Sequence, residues 1–323
     1  MIFTPRRIFK GPGFAETLVM GTSHGRTIIR KQSNPDALPF SRIALAREIR
    51  LLLNLPEALR PFYPTVLTTN LTGQSEHSEE LPETIWYDMP YYPPDEGWEP
   101  LSRCLLDGLV GRDDACRVLG EIMDAAFMAF RLDDRDPPPD YPEHTMLVAI
   151  RESIGFADGV PELAGILREP FVRVPEKAPY TAACIIDTIE SSPHVLRLLT
   201  PSRDRFLHGD FFPENILLNL HTGKWLLIDP VSVRGVHRGD FTLDTVKMGE
   251  WLSGELPALR RGLFTVVPDD GGIRLDVHTN APELANLGRL DLYGWYADRL
   301  NYSGYADVFD REPEKAEGAF EDD

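Results

Sequence analysis

The feature that most restricts how this sequence can fold is the stretch from 206 to 244, FLHGDFFPENILLNLHTGKWLLIDPVSVRGVHRGDFTLD. Asp210 follows an apolar entry, and Asn215 comes five residues later. Two short apolar runs, ILLNL and WLLI, are then joined by His-Thr-Gly-Lys, a linker typical of β-hairpins. Asp229 directly follows the second run. The pattern predicts a hairpin with Asn215 and Asp229 at its open end.

The polar side chains of this stretch suit phosphate chemistry. The amide oxygen of Asn215 and the carboxylate of Asp229 are hard oxygen ligands, which suit Mg²⁺ held against the phosphates of a nucleotide. Asp210, on the turn before the hairpin, can accept a proton from a substrate hydroxyl and orient it toward the γ-phosphorus. We therefore predict Asp210 as the catalytic residue and Asn215 and Asp229 as metal ligands.

The same stretch resembles a known family. The spacing from Asp210 to Asn215 equals that of the protein-kinase catalytic loop. However, His-Gly-Asp at 208–210 replaces His-Arg-Asp, and Ile-Asp-Pro at 228–230 replaces Asp-Phe-Gly. In both respects the stretch resembles the aminoglycoside phosphotransferase/choline kinase-like family, which are small-molecule kinases of the protein-kinase-like fold.

Two further positions extend the resemblance. The later Gly-Asp…Asp element of the family has a match in Gly239-Asp240 and Asp244. Asp244 is predicted to brace the catalytic loop by hydrogen bonds from a following helix. His208 is predicted to brace the loop rather than to take part in chemistry.

The resemblance implies an α+β, two-lobe, protein-kinase-like fold. Residues 1–92 would form a nucleotide-binding N-lobe with an antiparallel sheet and one helix, and a hinge at about 86–92. Residues 93–305 would form a larger, mainly helical C-lobe with the catalytic loop and the acceptor site. The tail, 306–323, carries eight acidic and two basic residues and is predicted to be disordered.

Apolar runs and turn residues predict five strands in the N-lobe, at 7–10, 17–20, 26–32, 63–69 and 83–87. The third strand should supply the cation that reaches the α- and β-phosphates. Strand side chains alternate between faces, so only one of Arg30 and Lys31 can point into the cleft. The family resemblance favours Arg30. If the phosphate-binding cation must be a lysine, Lys31 is favoured. The helix predicted at Ser41–Leu53 carries Glu48, which would hold that cation.

Two other parts of the N-lobe are candidates for nucleotide contacts. Gly13 and Phe14 lie in a connection that resembles the phosphate loop of the family, although an ordinary turn is the alternative. Adenine would bind at the hinge backbone, near Asp88, Met89 and Tyr91, since Pro90 has no amide to donate. The hinge aromatics and Met89 are equally well explained as core residues.

Helical periodicity dominates the rest of the chain. Helices are predicted at 101–110, 113–130, 143–156, 160–167, 240–252, 256–263 and 281–299, and one or two helices at 181–199. A run of acidic residues can offer anions to an ammonium-bearing ligand, or can simply be a solvated surface: Asp133, Asp134, Asp136, Asp140, Glu143 and Glu152.

Composition narrows the class of protein. The 323 residues suffice for two lobes, each with its own core, and the formal charge of −18 argues against a nucleic-acid partner. That charge is compatible with a cationic acceptor, or serves solubility. There is no apolar run long enough to span a membrane. The N-terminus lacks a signal-peptide core and the three cysteines lack metal-site spacing, so a cytoplasmic location is expected. The expected assembly is a monomer or a homodimer.

The expected function is an ATP- or GTP-dependent, Mg²⁺-dependent phosphotransferase acting on a hydroxyl of a small molecule. No activation segment is recognisable, which favours a small molecule over a protein substrate. By resemblance, an aminoglycoside-like or other amine-bearing antibiotic comes first, which would imply antibiotic resistance. Choline, ethanolamine, an amino sugar or other sugar, homoserine and methylthioribose are alternatives. A nucleotide-binding pseudokinase that regulates a partner, and a kinase acting on a protein side chain, are the competing hypotheses.

Overall fold

The structure of the protein, a computed structural model, describes about seven tenths of the chain. The described residues are 5–10, 15–21, 27–34, 41–71, 81–132, 134–139, 141, 147–148, 151, 172–173, 182–201, 203–231, 238–269 and 272–302. They form a mixed α/β structure with small, mainly antiparallel sheets and several helices.

The N-terminal part is a five-stranded antiparallel sheet with the strand order β1-β2-β3-β5-β4. Its strands are β1 (Pro5–Lys10), β2 (Ala15–Gly21), β3 (Thr27–Ser33), β4 (Thr68–Thr69) and β5 (Trp86–Pro90). The register places Arg30 opposite Asp88 and Lys31 opposite Tyr87. The antiparallel sheet predicted from the sequence is confirmed.

Two of the predicted strands have different bounds. The strand predicted at 63–69 is only Thr68–Thr69, and a short 3₁₀ helix, Arg60–Phe62, precedes it. Proline explains the difference, because Pro61 starts the 3₁₀ turn and Pro64 has no amide for a strand ladder. The strand predicted at 83–87 is shifted to Trp86–Pro90, so the chain leaves the sheet at Tyr91.

Where the structure describes them, most helices lie near the predicted ranges. Two predictions differ: the helix predicted at 101–110 ends at Leu106, and the one predicted at 281–299 is a 3₁₀ turn followed by two α-helices, which the left-handed backbone of Asp291 separates. Ser41–Leu53 has the predicted bounds, and 181–199 is divided by Ser192 into two helices. The predicted helices at 143–156 and 160–167 lie almost wholly outside the described residues. The α-helices are α1 (Ser41–Leu53), α2 (Leu101–Leu106), α3 (Arg112–Leu132), α4 (Ala182–Ser191), α5 (Pro193–Leu199), α6 (Thr242–Leu252), α7 (Glu255–Arg260), α8 (Ala285–Leu290) and α9 (Leu292–Tyr302).

Three small sheets lie among these helices. Their strands are β6 (Trp98–Pro100), β7 (Asp134–Arg135), β8 (Val172–Arg173), β9 (Asp204–Phe206), β10 (Ile216–Asn219), β11 (Trp225–Leu227), β12 (Arg238–Gly239), β13 (Phe264–Asp269) and β14 (Gly272–Val277). The predicted hairpin is β10 and β11, which pair antiparallel, and β6 adds a third strand.

The hairpin of β13 and β14 was not predicted. Its two strands pair antiparallel over six residue pairs, from Phe264 opposite Val277 to Asp269 opposite Gly272. The sequence signal was present, since an Asp-Asp-Gly-Gly turn separates two runs rich in β-branched residues. The expectation of a mainly helical second half omitted this element.

Most buried apolar residues of the described part of the chain belong to one large cluster. It joins Leu45 and Ile49 on α1 to Ile122 on α3, Trp251 on α6 and Tyr296 on α9. Leu18, Met20 and Ile28 form a second, much smaller cluster on the sheet. The helix that packs on the N-terminal sheet therefore shares its core with the helices that follow, and this shared core positions the site described next.

Candidate active site

The open end of the β10–β11 hairpin brings Asn215 and Asp229 to the same region. The amide N–H of Ile228 donates to the carbonyl of Asn215 at 2.9 Å, which extends the ladder by one pair beyond the strands. Asp229 follows with a left-handed backbone, φ 56°. This conformation is uncommon for a residue other than glycine, although aspartate tolerates it. It turns the chain out of the strand at the residue predicted to bind metal.

Lys31 joins the N-terminal sheet to this hairpin. Its Nζ donates to Glu48 Oε1 and Oε2 at 2.9 and 2.8 Å and to Asp229 Oδ1 at 2.9 Å. The hydroxyl of Tyr87, on β5, donates to Glu48 Oε1 at 2.7 Å. Lys31, Glu48 and Tyr87 are buried, whereas the side chain of Asp229 is 43% exposed. One ammonium therefore links β3, α1 and the end of the hairpin.

The charges of Lys31, Glu48 and Asp229 shift the pKa values of Lys31 and Glu48. Burial by itself would lower the pKa of Lys31, but the carboxylates of Asp229 and Glu48 outweigh burial and raise that pKa above its usual value. Burial raises the pKa of Glu48, and the charge of Asp229 adds to this, while the ammonium of Lys31 opposes it. We therefore take Lys31 as charged at neutral pH, with its charge directed at two carboxylates.

Arg30 points to the opposite face of β3 and has a different partner. Its guanidinium binds the carboxylate of Asp88 through two hydrogen bonds, Nε–Oδ1 at 2.7 Å and Nη2–Oδ2 at 2.9 Å. It also lies over the ring of Trp86, with Cζ 3.6 Å from the centroid. The structure thus places Lys31, and not Arg30, against Glu48 and Asp229, which the sequence left undecided.

Asp210 lies beside Asn215 and receives two donors on its carboxylate. Asn215 Nδ2 donates to Asp210 Oδ2 at 2.8 Å and to the Asp210 carbonyl at 2.9 Å. Lys247 Nζ donates to Asp210 Oδ1 at 2.8 Å and to the carbonyl of Gly209 at 2.7 Å. Since Asn215 uses its amide nitrogen here, its amide oxygen can serve a cation.

The loop that carries Asp210 is braced by two buried side chains. Asp244 accepts the amide N–H groups of His208 and Gly209, both at 2.8 Å. The ring of His208 contacts the carbonyl of Ile228 through Nε2 at 3.0 Å, and its Nδ1 accepts the amide of Asp210 at 3.3 Å. Because Nδ1 is an acceptor, Nε2 carries the proton and donates to Ile228.

Burial shifts the pKa values of both braces. It lowers the pKa of His208 to about 4, so the imidazole is neutral at physiological pH. It raises the pKa of Asp244 to about 6, although the two backbone hydrogen bonds oppose the shift. Burial explains both shifts, and neither side chain needs to exchange a proton during a reaction.

Gly209 occupies a position that no other residue fits. Its φ is 81°, and a Cβ built there would lie 1.8 Å from the carbonyl oxygen of Val231. Val231 also donates its amide to the carbonyl of His208 at 2.9 Å. The segment after the hairpin therefore packs directly against the backbone of the loop, and glycine permits the approach.

The candidate nucleotide contacts are only partly described. Met89 is buried in β5, and Tyr91 is the first residue beyond that strand. The side chain of Asp88 is engaged with Arg30, so it can contribute only its backbone to a ligand. Gly13 and Phe14 lie outside the described residues.

Two residues of this site were missed by sequence reasoning, Tyr87 and Lys247. Tyr87 lies opposite Lys31 in the sheet, a relation that depends on strand register. Lys247 lies three residues after Asp244 on a predicted helix, so its position on the same face was available from the spacing alone.

The acidic run considered as a cation-binding surface is described only in part. Asp136 contacts Arg203, with Oδ1 and Nη1 2.6 Å apart. The backbone of Asp134 lies in β7. The remaining acids of the run lie outside the described residues: Asp133, Asp140, Glu143 and Glu152.

Other features of the described residues bear on ligands. A cavity of about 1130 Å³ lies between the 3₁₀ turn at Arg60–Phe62, α3 and the β10–β11 hairpin, and neither Lys31 nor Asp210 lines it. The described residues contain no cluster of three or more His, Cys, Asp or Glu arranged for a metal ion. A Mg²⁺ ion held by Asn215 and Asp229 would not require such a cluster, because phosphates and water complete its shell.

None of the helices that the structure describes has the length and hydropathy needed to span a bilayer.

Comparisons with known proteins add structural likenesses at low identity. No protein-family model matches the sequence, and no curated protein is significantly similar to it. Among solved structures, glucosamine kinase in crystal form A is 16% identical with a TM-score of 0.45, covering 95% of this chain and 83% of that one. Crystal form B is 14% identical with a TM-score of 0.43, covering 95% and 84%. Glucosamine kinase in complex with glucosamine, ADP and inorganic phosphate is 14% identical with a TM-score of 0.38, covering 93% and 84%. At these values the likenesses carry no argument about the function of this chain.

Proposed function

We propose that this protein is a phosphotransferase that moves the γ-phosphoryl group of ATP or GTP to a hydroxyl of a small molecule. The observation that carries the proposal is the meeting of Lys31, Asp229, Asn215 and Asp210 around one end of a hairpin. Phosphoryl transfer needs cations and metal ligands around the phosphates, and a carboxylate beside the acceptor hydroxyl that can accept its proton. The proposal is supported by the ammonium of Lys31, the side-chain oxygens of Asn215 and Asp229, and the carboxylate of Asp210, which are the chemical groups that such a reaction uses.

Each of these residues has a role in the proposed reaction. Lys31, held by Glu48, would bind the phosphates of the nucleotide. Asn215 and Asp229 would hold Mg²⁺, which would neutralise charge on the phosphates when bound. Asp210 would accept the proton of the acceptor hydroxyl. The hydroxyl oxygen would form a bond to the γ-phosphorus while the bond between the γ-phosphorus and the β-phosphate oxygen breaks. The products would be a phosphate ester and the nucleoside diphosphate.

The donor chemistry of the residues fits the metal. Mg²⁺ prefers oxygen ligands and is usually held by one or two carboxylates together with substrate phosphates. The amide nitrogen of Asn215 is directed to Asp210, which leaves its oxygen for the ion. Lys31 contacts Oδ1 of Asp229, so Oδ2 of this carboxylate can bind the ion, and the side chain is partly exposed.

The connection after Asp229 favours a small acceptor over a polypeptide. The chain returns to a strand at Arg238–Gly239, which pairs with Asp204–Phe206. So short a segment has little length to form a binding surface for an extended peptide. The acceptor is to be identified by assaying turnover with a panel of candidate compounds. The panel includes sugars and amino sugars, aminoglycosides, choline, ethanolamine, homoserine and methylthioribose.

The first test is nucleotide-dependent turnover of the full chain. With Mg²⁺ and ATP or GTP, we expect nucleotide to raise the melting temperature only when Mg²⁺ is present. We expect release of the diphosphate to accelerate with at least one acceptor in the panel. Stabilisation by nucleotide without any transfer would contradict the proposal and indicate a regulatory nucleotide-binding protein. Phosphate transferred to a polypeptide would contradict the small-molecule assignment.

Substitution of the base provides the second test. Asp210→Ala should lower kcat by on the order of 10² to 10⁴, as is typical for loss of a general base. The nucleotide affinity should stay within a few fold, because Asp210 acts on the acceptor. The matched control is Asp107→Ala, which removes an exposed carboxylate that contacts Arg103. Near-normal turnover in Asp210→Ala would refute the assignment of this residue.

A further inference from the structure

Lys247 on α6 contacts the loop of Asp210 at two points. Its Nζ lies 2.8 Å from Asp210 Oδ1 and 2.7 Å from the carbonyl oxygen of Gly209. Asp244, one helical turn earlier on the same face, accepts the amides of His208 and Gly209. One face of α6 thus contacts the loop in two ways. The carboxylate of Asp244 accepts hydrogen bonds from backbone amides of the loop, and the ammonium of Lys247 donates to its oxygen atoms.

The contact of Lys247 defines the orientation of the Asp210 carboxylate. Lys247 donates to Oδ1 and Asn215 donates to Oδ2, so rotation of the carboxylate would break both hydrogen bonds. Each oxygen keeps a second lone pair, which can accept a hydroxyl proton. The helix that carries Lys247 is itself fixed, since Met248 and Trp251 are buried in the core. A site held by a packed helix keeps its geometry better than one held by a loop.

A purely structural ion pair is the alternative explanation of this contact. The side chains of Lys247 and Asp210 are 39% and 28% exposed. Ion pairs that exposed contribute little to folding stability, because water and salt screen them. Stability therefore gives a weak reason for a cation at this place, whereas control of a reacting carboxylate gives a specific one.

We propose that Lys247 is the positioning residue that holds Asp210 ready to accept the hydroxyl proton, which rests on the proposed phosphotransferase function. The role is exerted through Asp210. Loss of Lys247 should therefore lower turnover while binding of the nucleotide and folding stability are retained.

The test compares three variants of Lys247 with the wild-type chain. The probe is Mg²⁺ with ATP, and the readout is release of ADP, with water as acceptor and with any acceptor found in the panel. Lys247→Met should lower kcat by on the order of ten- to a hundredfold, the scale expected for a misplaced catalytic group. KM for ATP should change by less than about threefold, because Lys247 acts through Asp210 and not on the nucleotide. Lys247→Leu, which also removes the donor and the charge, serves in its place if Lys247→Met does not fold.

Lys247→Arg should recover most of the turnover, because it restores a charged donor to the carboxylate. Lys224→Met, at an exposed lysine of the hairpin turn, is the control and should behave as wild type. If Lys247→Met or Lys247→Leu keeps its wild-type kcat, the proposal is overturned. It is also overturned if kcat falls only in step with the melting temperature and arginine does not restore it. A wild-type chain that releases no ADP with water or with any acceptor of the panel would instead contradict the proposed function itself.

Discussion

At the scale of residues, neighbouring side chains on one strand have opposite roles. Lys31 and Arg30 are adjacent cations on β3, and the alternation of strand side chains sends them to different faces. Lys31 contacts the acids of the candidate site, and Arg30 forms a bidentate pair with Asp88. Residue type alone does not separate them, but their partners do.

This difference predicts different losses on substitution. Arg30→Met leaves the carboxylate of Asp88, which is 1% exposed, without its guanidinium and should cost about 3–5 kcal/mol of stability. Lys31→Met should remove the stabilisation by nucleotide and Mg²⁺, which for the wild type is about 2.7 kcal/mol at a hundred times Kd. Arg30→Met should keep that stabilisation. Thermal melts of both variants with and without nucleotide provide the measurement, and equal nucleotide shifts in the two would contradict the assignment of Lys31.

The buried imidazole of His208 makes a prediction about pH. Burial depresses its pKa from 6.5 to about 4, so the unfolded chain binds this proton more tightly than the folded chain. The stability that the neutral ring contributes is therefore present above pH 6.5 and is lost as the pH falls toward 4.

We expect the wild type to lose about 2 kcal/mol more than His208→Gln between pH 7.5 and pH 5, from this single proton. Denaturant unfolding of both proteins at the two pH values measures the difference. The raised pKa of Asp244 acts in the opposite direction, but it is present in both proteins and largely cancels in the comparison. Equal pH dependence in the two proteins would show that the ring does not titrate as described.

At the scale of elements, the loop before the hairpin and the segment after it are packed against each other. The left-handed turn at Gly209 allows the carbonyl of Val231 to approach the loop backbone. The loop orients Asp210 and the segment begins at Asp229. Their relative placement therefore depends on the absence of a side chain at this one position.

Gly209→Ala should displace the loop, because its Cβ would lie 1.8 Å from the Val231 oxygen. We expect loss of turnover by at least about a hundredfold, as for a displaced catalytic group. A lower melting temperature should accompany it. Gly223→Ala is the matched control: its φ is 71°, but the nearest atom to its Cβ is 3.6 Å away, so only the backbone cost of about 1 kcal/mol applies. Similar effects of the two substitutions would show that the close approach at Gly209 is not needed.

At the scale of the whole molecule, one apolar cluster runs from α1 to α9. Within this cluster, α1 and the later helices bury their apolar faces together. A shared core makes the unfolding of its parts cooperative, since neither part keeps its buried surface without the other.

We therefore expect Leu45→Ala, at a fully buried position of α1, to lower global stability by about 2–5 kcal/mol. The midpoints measured by circular dichroism and by tryptophan fluorescence should fall together. Circular dichroism reports mainly on the helices, and several tryptophans lie outside α1, including Trp225 and Trp251. Separate transitions, with only one affected by the substitution, would indicate independent cores.

The sequence by itself determined the local elements of this protein. Its periodicity and turn residues predicted α1, the β10–β11 hairpin and most later helices, because these depend on contacts between residues near in the chain. It also identified Asp210, Asn215 and Asp229 as candidates, since their spacing around a hairpin is local. The hairpin at β13–β14 was equally local, and its turn signal was overlooked.

Only the tertiary structure decided which side chains meet across long separations. Lys31 and Asp229 are 198 residues apart, and Lys247 and Asp210 are 37 apart. The choice of Lys31 over Arg30 depends on the register of β3 and on how the sheet packs against the hairpin. The bond between Lys247 and Asp210 depends on how α6 lies across the loop. Such contacts arise from the packing of a common core, which no local pattern specifies.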